Sequence, residues 1–338
     1  MPNIQKLPSG TYRVRIYLGT DDDGKRIVKS FTSKNKKELQ RIAEEYAARN
    51  KDRTDRRAIS KAMNAYIKVK TPVLSPASIK TYINLRRRLM ENHPGFCKTT
   101  VDCVNRRNLQ QLVADLALDG NSPKTIRNYM GLISGSMKYC GYQPPVVTLP
   151  QKIKPNFYVP DPDTMSAVIR FAAGTEMEIP IQLAVMGMRC GEICAAREED
   201  LDGNMLHIHR NVVFDAEGQL VEKAPKTYES DRWIQLPTSL AARIHEQGFV
   251  TNLNPRQITN RFRRLLQRGG FPHFRFHDCR HFFVSYCHNV LKLSDAQIQK
   301  LGGWRTDHVM RSHYLTSMND TRAGMKVANK MEKLISAG

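Results

Sequence analysis

The sequence predicts an α+β chain of several domains, and three observations carry that prediction. Apolar and polar residues alternate from Tyr12 to Leu18, the period of a half-buried strand. Between residues 58 and 140 the apolar positions recur at intervals of three and four, the period of helices. Beyond residue 156 both periods occur, with mainly helical stretches around a few short strand-like runs. A length of 338 residues suits such a division, because a single hydrophobic core stops growing before that size. The expected boundaries are residues 1–50, 58–142 and 156–338.

Charge narrows the function classes. Lys and Arg number 53 against 32 Asp and Glu, a formal net charge of +21. An excess of that size points to a polyanionic partner. No apolar run approaches the roughly 18–20 residues that a membrane span needs, and the N-terminus lacks the layout of a signal peptide. Nucleic acid is therefore the expected partner and the cytoplasm the expected location. The seven cysteines have no repeating spacing, which predicts free thiols in a reducing compartment. Cys190 and Cys194 lie one helical turn apart, but no second ligand pair accompanies them. Neither a metal nor another cofactor is expected.

In the N-terminal segment Tyr12, Val14, Ile16 and Leu18 share one strand face, and Arg13, Arg15 and Tyr17 the other. Asp23-Gly24 signals a hairpin, and a second strand follows from Lys25 to Phe31. Asn35 with Glu38 resembles a capping box, ahead of Leu39, Ile42, Ala43 and Tyr46 at helical spacing. A sheet backed by this helix leaves Arg13, Arg15, Tyr17 and Lys29 on a free face. That face either enters a DNA groove or remains a solvated basic surface. Residues 50–57 are polar throughout and read as a linker.

Four helical patterns fill the middle. They carry Ile59, Met63 and Ile67; Ile79, Tyr82 and Leu89; Leu109, Leu112 and Leu116; and Ile126, Tyr129, Ile133 and Met137. Ser75-Pro76 and Ser122-Pro123 are helix starts, a cap residue followed by proline in the first turn. The polar faces bear Lys80, Arg86, Arg87, Arg88, Lys124 and Arg127, a pattern suited to tracking phosphates. The proline-rich stretch from Gly141 to Pro155 reads as a semi-extended connector.

In the last segment helices are expected from Asp161-Pro162 and over Glu176 to Met188. Strands are expected over Met205 to Val213, Gln219 to Glu222 and Trp233 to Leu236. Glycines flank Arg189 in Gly187-Met188-Arg189-Cys190-Gly191-Glu192, and Glu192 at i+3 can hold the guanidinium. Lys226 lies in a turn before the third strand, and His277 and Arg280 share a helix face. Leu301-Gly302-Gly303-Trp304 is a glycine break before an indole, and Tyr314 follows.

Together Gly-Met-Arg-Cys-Gly-Glu-Ile, Pro-Lys-Thr, His-Asp-Cys-Arg-His and Leu-Gly-Gly-Trp followed by Tyr314 resemble the tyrosine recombinase (phage integrase) family. The middle segment looks like that family's core-site-binding domain. The first 50 residues look like the three-stranded arm-binding domain of integrases from phages and conjugative transposons. The resemblance implies that Arg189 and Arg280 grip the scissile phosphate, with His277 and Trp304 completing the pocket. It makes Lys226 the acid for the leaving 5′ oxygen, Tyr314 the nucleophile and Glu192 a supporting acid. Many members carry histidine where this chain has Trp304. An indole N–H donates but exchanges no proton near pH 7, so acid/base work falls to His277 and Lys226.

The resemblance further implies a homotetramer on double-stranded attachment-site DNA in a bacterial nucleoid. A host bending protein and an excisionase would be accessory partners. The helical pattern from Asp320 to Ile335 would dock on a neighbouring protomer, or else on its own domain. Two other activities share parts of this pattern: a type IB topoisomerase-like nicking-closing enzyme and a non-catalytic architectural DNA-binding protein.

The chemistry is consistent with those residue types. Free tyrosine has a pKa of about 10, so its attack needs a proton acceptor and a positive pocket. A pentacovalent phosphorane gains charge on its equatorial oxygens, which forked arginines meet bidentately. A leaving alkoxide needs an acid such as lysine.

Overall fold

The alternation in the first segment produces a three-stranded antiparallel sheet, β1 (Ile4–Lys6), β2 (Tyr12–Thr20) and β3 (Arg26–Ser33), in that order. The computed structural model describes residues 4–20, 26–50, 57–152, 158–224 and 228–306. The expected Asp23-Gly24 turn lies outside them. Val14 pairs with Phe31 across the sheet and is fully buried against Leu39 and Ala43 of α1 (Lys36–Asn50). Phe31 meets Tyr46 edge-on at 4.9 Å. Each fully buried aliphatic side chain of this kind contributes about 1.5–3 kcal/mol. Asn35 Oδ1 accepts the Lys37 and Glu38 amides, whereas the Glu38 carboxylate accepts from the Ser33 hydroxyl. The cap is therefore shared over three residues rather than closed into the expected box.

The register corrects one expectation. Arg13 stands opposite Thr32 and Arg15 opposite Ser30, on the face away from α1. Lys29 pairs with Ile16 and so belongs to the helix-covered face, not beside the two arginines. It is exposed at the end of that face.

The helical middle comprises α2 (Ile59–Lys70), α3 (Pro76–Asn92), the short α4 (Pro94–Lys98), α5 (Arg106–Leu118) and α6 (Pro123–Tyr139). α4 forms at His93-Pro94-Gly95 because proline suits a first helical position. Ile59, Met63, Leu89, Leu109, Leu116, Ile126 and Ile133 fill one core. Its basic residues differ in how freely they project. Lys124 and Arg88 are exposed, and Lys80 is half-buried. Arg87 pairs with Glu91 at 3.0 Å. Arg86 Nε donates to the Ser60 carbonyl at 3.1 Å, and Arg127 donates to the carbonyls of Pro123 and Pro150 at 3.0 and 2.5 Å. Gln110 holds Thr148 through both its amide atoms. The first part of the expected connector is thus fastened to the helices rather than free.

Contacts divide the chain into two units, Met1–Lys154 and Pro155–Gly338. The second is built on α7 (Pro162–Ala172), α8 (Glu178–Val185), α9 (Cys190–Ala195), α10 (Thr238–Gln247), α11 (Pro255–Arg268), α12 (Asp278–Asn289) and α13 (Asp295–Gly302). Its strands are β4 (Leu201–Asp202), β5 (Met205–Ile208), β6 (Asn211–Phe214), β7 (Leu220–Lys223) and β8 (Arg232–Gln235). They form two antiparallel sheets, β4-β5-β8 and β6-β7. The single strand expected over Met205 to Val213 is therefore two strands in different sheets. The break falls at His209-Arg210, both of which turn to Asp200, at 2.9 and 2.6 Å. Among the described residues no helix is long and apolar enough to cross a membrane.

Candidate active site

Arg189 is placed by a turn that only glycine forms easily. Gly187 has φ +91°, and a Cβ there would fall 2.8 Å from the Phe283 ring. Arg189 then adopts extended backbone at the N-cap of α9. Its amide donates to Glu192 Oε2 at 2.9 Å and its Nη1 to Oε1 at 2.5 Å. The carboxylate thus sits at a helix N-terminus, where exposed N–H groups favour negative charge. Burial alone would raise the Glu192 pKa, but Arg232, Arg189 and Arg280 outweigh it and hold the carboxyl below its ordinary value.

The second arginine is carried by α12. Arg280 is 1% exposed. Its Nη1 donates to the Gly187 carbonyl and its Nη2 to the Gly302 carbonyl at 2.7 Å. Its guanidinium lies over the Trp304 ring, 3.8 Å from the centroid. The indole, expected as a donor in the phosphate pocket, is itself 6% exposed and packs with Val284, Cys287 and Ile298. In this arrangement Trp304 forms the floor beneath Arg280. Arg189, with 35% of its side chain exposed, is the arginine that reaches solvent.

The glycine break explains the rest of the geometry. A Cβ on Gly302 would fall 1.6 Å from Trp304 Cζ3, and Gly303 has φ +66° at the end of α13. The last carbonyls of a helix lack intrahelical partners and carry partial negative charge. Here three successive ones each accept from a different arginine. Leu301 takes Arg232 Nε at 2.9 Å, Gly302 takes Arg280, and Gly303 takes Arg189 Nη2 at 3.0 Å.

His277 begins α12 and meets His281 edge-on at 5.2 Å. It is exposed by area, yet desolvation by surrounding protein, then the charge of Arg280, pushes its pKa down to about 4. Both facts fit a ring lining a concavity open at its mouth. At neutral pH this imidazole is uncharged and can accept a proton. Asp278 beside it is buried and bound by Arg275 at 2.7 Å.

The structure therefore brings Arg189, Glu192, Arg280 and Trp304 together, with His277 within electrostatic reach of both arginines. Lys226 and Tyr314 lie outside the described residues, as do His308, His313 and the expected last helix.

Two features escaped the sequence reading. Arg232 is 8% exposed, with Nη2 on Glu192 Oε2 at 3.1 Å. The signal for it was present, because strand alternation that buries Ile234 also buries position 232. The other is α11. Its Ile258, Phe262, Leu265 and Leu266 are buried, while Arg256, Asn260, Arg263 and Gln267 form an exposed stripe at i, i+4, i+7 and i+11. Those are the residue types that read base edges bidentately.

No family model matches the sequence. The chain is 22% identical over 339 residues to a "Tyrosine recombinase XerC-like" protein of Caldanaerobacter subterraneus subsp. tengcongensis, covering 84% of this chain and 86% of that one. Its fold is similar to that of the Tn1549 transposon integrase in complex with transposon right end DNA. There the TM-score is 0.62 at 15% identity, over 80% of this chain and 99% of that one. It is also similar to lambda integrase as a dimer bound to a COC′ core site, with TM-score 0.58 at 13% identity over 94% of this chain and 96% of that one. For the lambda integrase tetramer bound to a Holliday junction the TM-score is 0.56 at 12% identity, over 90% and 92%. In fold the chain is thus similar to these integrases, and in sequence, at 22% identity, to a tyrosine recombinase XerC-like protein.

Proposed function

We propose that this chain is a site-specific DNA recombinase that integrates and excises a mobile element through a 3′-phosphotyrosyl intermediate. The observation that carries the proposal is the convergence of Arg189, held by Glu192, and Arg280 on the carbonyls of Gly303 and Gly302, a segment that leads within the same chain to Tyr314. A phosphate arriving there replaces the Gly303 carbonyl on Arg189 and the Gly302 carbonyl on Arg280. Forked guanidinium donors then meet the charge that develops on the phosphorane.

In the cleavage step Tyr314 Oη bonds to phosphorus, and the bond from phosphorus to the 5′ oxygen breaks. His277, neutral at pH 7, takes the phenol proton. Lys226 gives a proton to the leaving 5′ oxygen. Religation runs the same transfers backwards with a 5′ hydroxyl from a partner strand, so no nucleotide hydrolysis is needed. A homotetramer exchanging one strand pair, passing through a Holliday junction and then exchanging the second pair fits this chemistry. The lambda integrase tetramer on such a junction supports that reading.

Residues 1–50 are proposed as an arm-type DNA-binding domain presenting Arg13 and Arg15, and residues 58–142 as the core-site domain with Lys124 exposed. Residues 156–338 would form the catalytic domain, with the α11 stripe reading bases and the last helix docking in trans.

The test uses nicked duplexes selected from a random-sequence pool by binding to the full chain. Denaturing electrophoresis should reveal a covalent protein–DNA adduct that Tyr314→Phe abolishes. An adduct that persists in Tyr314→Phe contradicts the nucleophile assignment. No adduct on any bound duplex supports the architectural reading, and relaxation of plasmids lacking a selected site supports the topoisomerase reading.

A further inference from the structure

We infer that Arg232 is a positioning residue of the strand-cleavage reaction, a buried side chain that fixes the mutual geometry of the described segments forming the phosphate pocket. The inference rests on the recombinase reading above.

Each donor direction of this guanidinium is committed to a different segment. Nε donates to the Leu301 carbonyl at 2.9 Å, at the start of the loop that holds Trp304. Nη1 donates to the Ser230 carbonyl at 3.1 Å, closing the segment that follows residue 226. Nη2 donates to Glu192 Oε2 at 3.1 Å and to the Gly187 carbonyl at 3.5 Å. Glu192 is the carboxylate that grips Arg189, and Gly187 is the carbonyl that accepts from Arg280. One plane therefore touches a neighbour of every described arginine in the pocket and the 228–230 segment.

Arg232 does not act on DNA itself. Its side chain is 6% exposed, and Gly303 closes over it so tightly that a Cβ there would fall 2.9 Å from Nη1. Nor is it filler. It occupies an inward position of β8 that alternation assigns to an apolar residue, beside Ile234. Buried ion pairs are often replaced by apolar side chains with little loss of stability, so stability alone does not call for an arginine here. The planar fork does, because a lysine ammonium is a point charge that cannot hold acceptors in several fixed directions.

The test compares Arg232→Gln, Arg232→Met and Arg232→Lys in the full chain on nicked duplex, with the folded fraction measured by thermal unfolding. DNA affinity should stay at the wild-type level. The adduct-forming rate per folded molecule at saturating DNA should fall on the order of 100-fold in Arg232→Gln and Arg232→Met, as expected for a misplaced reacting group. In those two variants Glu192 loses a cation, so its carboxyl titrates at higher pH and the acid limb of the rate profile moves upward. Arg232→Lys should bring the acid limb back without restoring the full rate.

A wild-type rate and an unmoved acid limb in the Gln or Met variant would overturn the inference. Complete rescue by Arg232→Lys would overturn the requirement for the fork. A readout free of catalysis separates this from the recombinase reading. Carbon-13 NMR of the Glu192 carboxyl should show the upward titration shift in Arg232→Gln whether or not DNA is cut. A wild type that forms no adduct, together with that shift, rejects the recombinase reading alone. Absence of the shift rejects the role of Arg232.

Discussion

The Arg280 guanidinium rests 3.8 Å from the centroid of the Trp304 ring, with the indole buried below it and two carbonyls fixing its rim. A buried cation on an aromatic face gains about 2 kcal/mol or more, so this stacking is strong enough to set the orientation of the arginine. Trp304 thereby contributes to the pocket from underneath.

This arrangement separates two roles for the indole. Trp304→Phe keeps an aromatic floor and removes the N–H, so adduct formation should remain within a few-fold of wild type. Trp304→Ala empties the floor and should cost about 3–5 kcal/mol of stability, with loss of cleavage in the folded remainder. Denaturant titration and the adduct assay measure both. Loss of cleavage in a stable Trp304→Phe protein would restore the indole as a phosphate donor.

His277 makes a pH prediction. Its folded pKa of about 4 lies below the ordinary 6.5, so the unfolded chain takes up this proton first as pH falls. Stability from this group is complete above 6.5 and is lost between 6.5 and about 4. Cleavage should therefore show no histidine-dependent decline near 6.5, and the loss of the base should appear only toward 4. Rate profiles of wild type and His277→Gln test this. A half-loss near 6.5 that disappears in the variant would contradict the depressed value.

The α11 stripe and the exposed lysine of the helical unit should behave differently. Asn260→Ala or Arg263→Ala should relax base preference at single positions, by about 1–3 kcal/mol each. Lys124→Ala should weaken binding evenly across sequences and reduce the salt slope by about 1. Sequence selection at several salt concentrations distinguishes them. Uniform weakening by the α11 variants would make that face a phosphate contact only.

Much of the fold was legible because local periods decided it. The alternation from Tyr12 placed Val14 inside, and Ser122-Pro123 started α6 as expected, with the Ser122 hydroxyl accepting the Thr125 amide at 3.2 Å. Errors arose where pairing partners mattered. Lys29 lies on the helix-covered face because strand register is fixed by the neighbouring strand and not by the strand's own pattern. The strand from Met205 ends earlier than its alternation suggests because His209 and Arg210 satisfy the pattern while their side chains turn to Asp200.

At the candidate site, residue types pointed to Arg189, Glu192 and Arg280. They gave no hint that Arg280 is enclosed, since that enclosure comes from carbonyls remote in sequence, at Gly187 and Gly302. Arg232 carries no motif signal for a related reason. Its importance lies in backbone acceptors, which no motif displays.

The central claim is that Tyr314 becomes covalently joined to DNA. Trypsin digestion of the adduct, nuclease trimming and mass spectrometry test it directly, because the expected peptide, residues 312–322, contains Tyr314 as its sole tyrosine. The account predicts a nucleotide 3′-phosphate mass on that peptide, localised by fragmentation to Tyr314. The same mass on a peptide carrying Tyr228 or Tyr286, or its absence from every tyrosine of a cleaving enzyme, would contradict it.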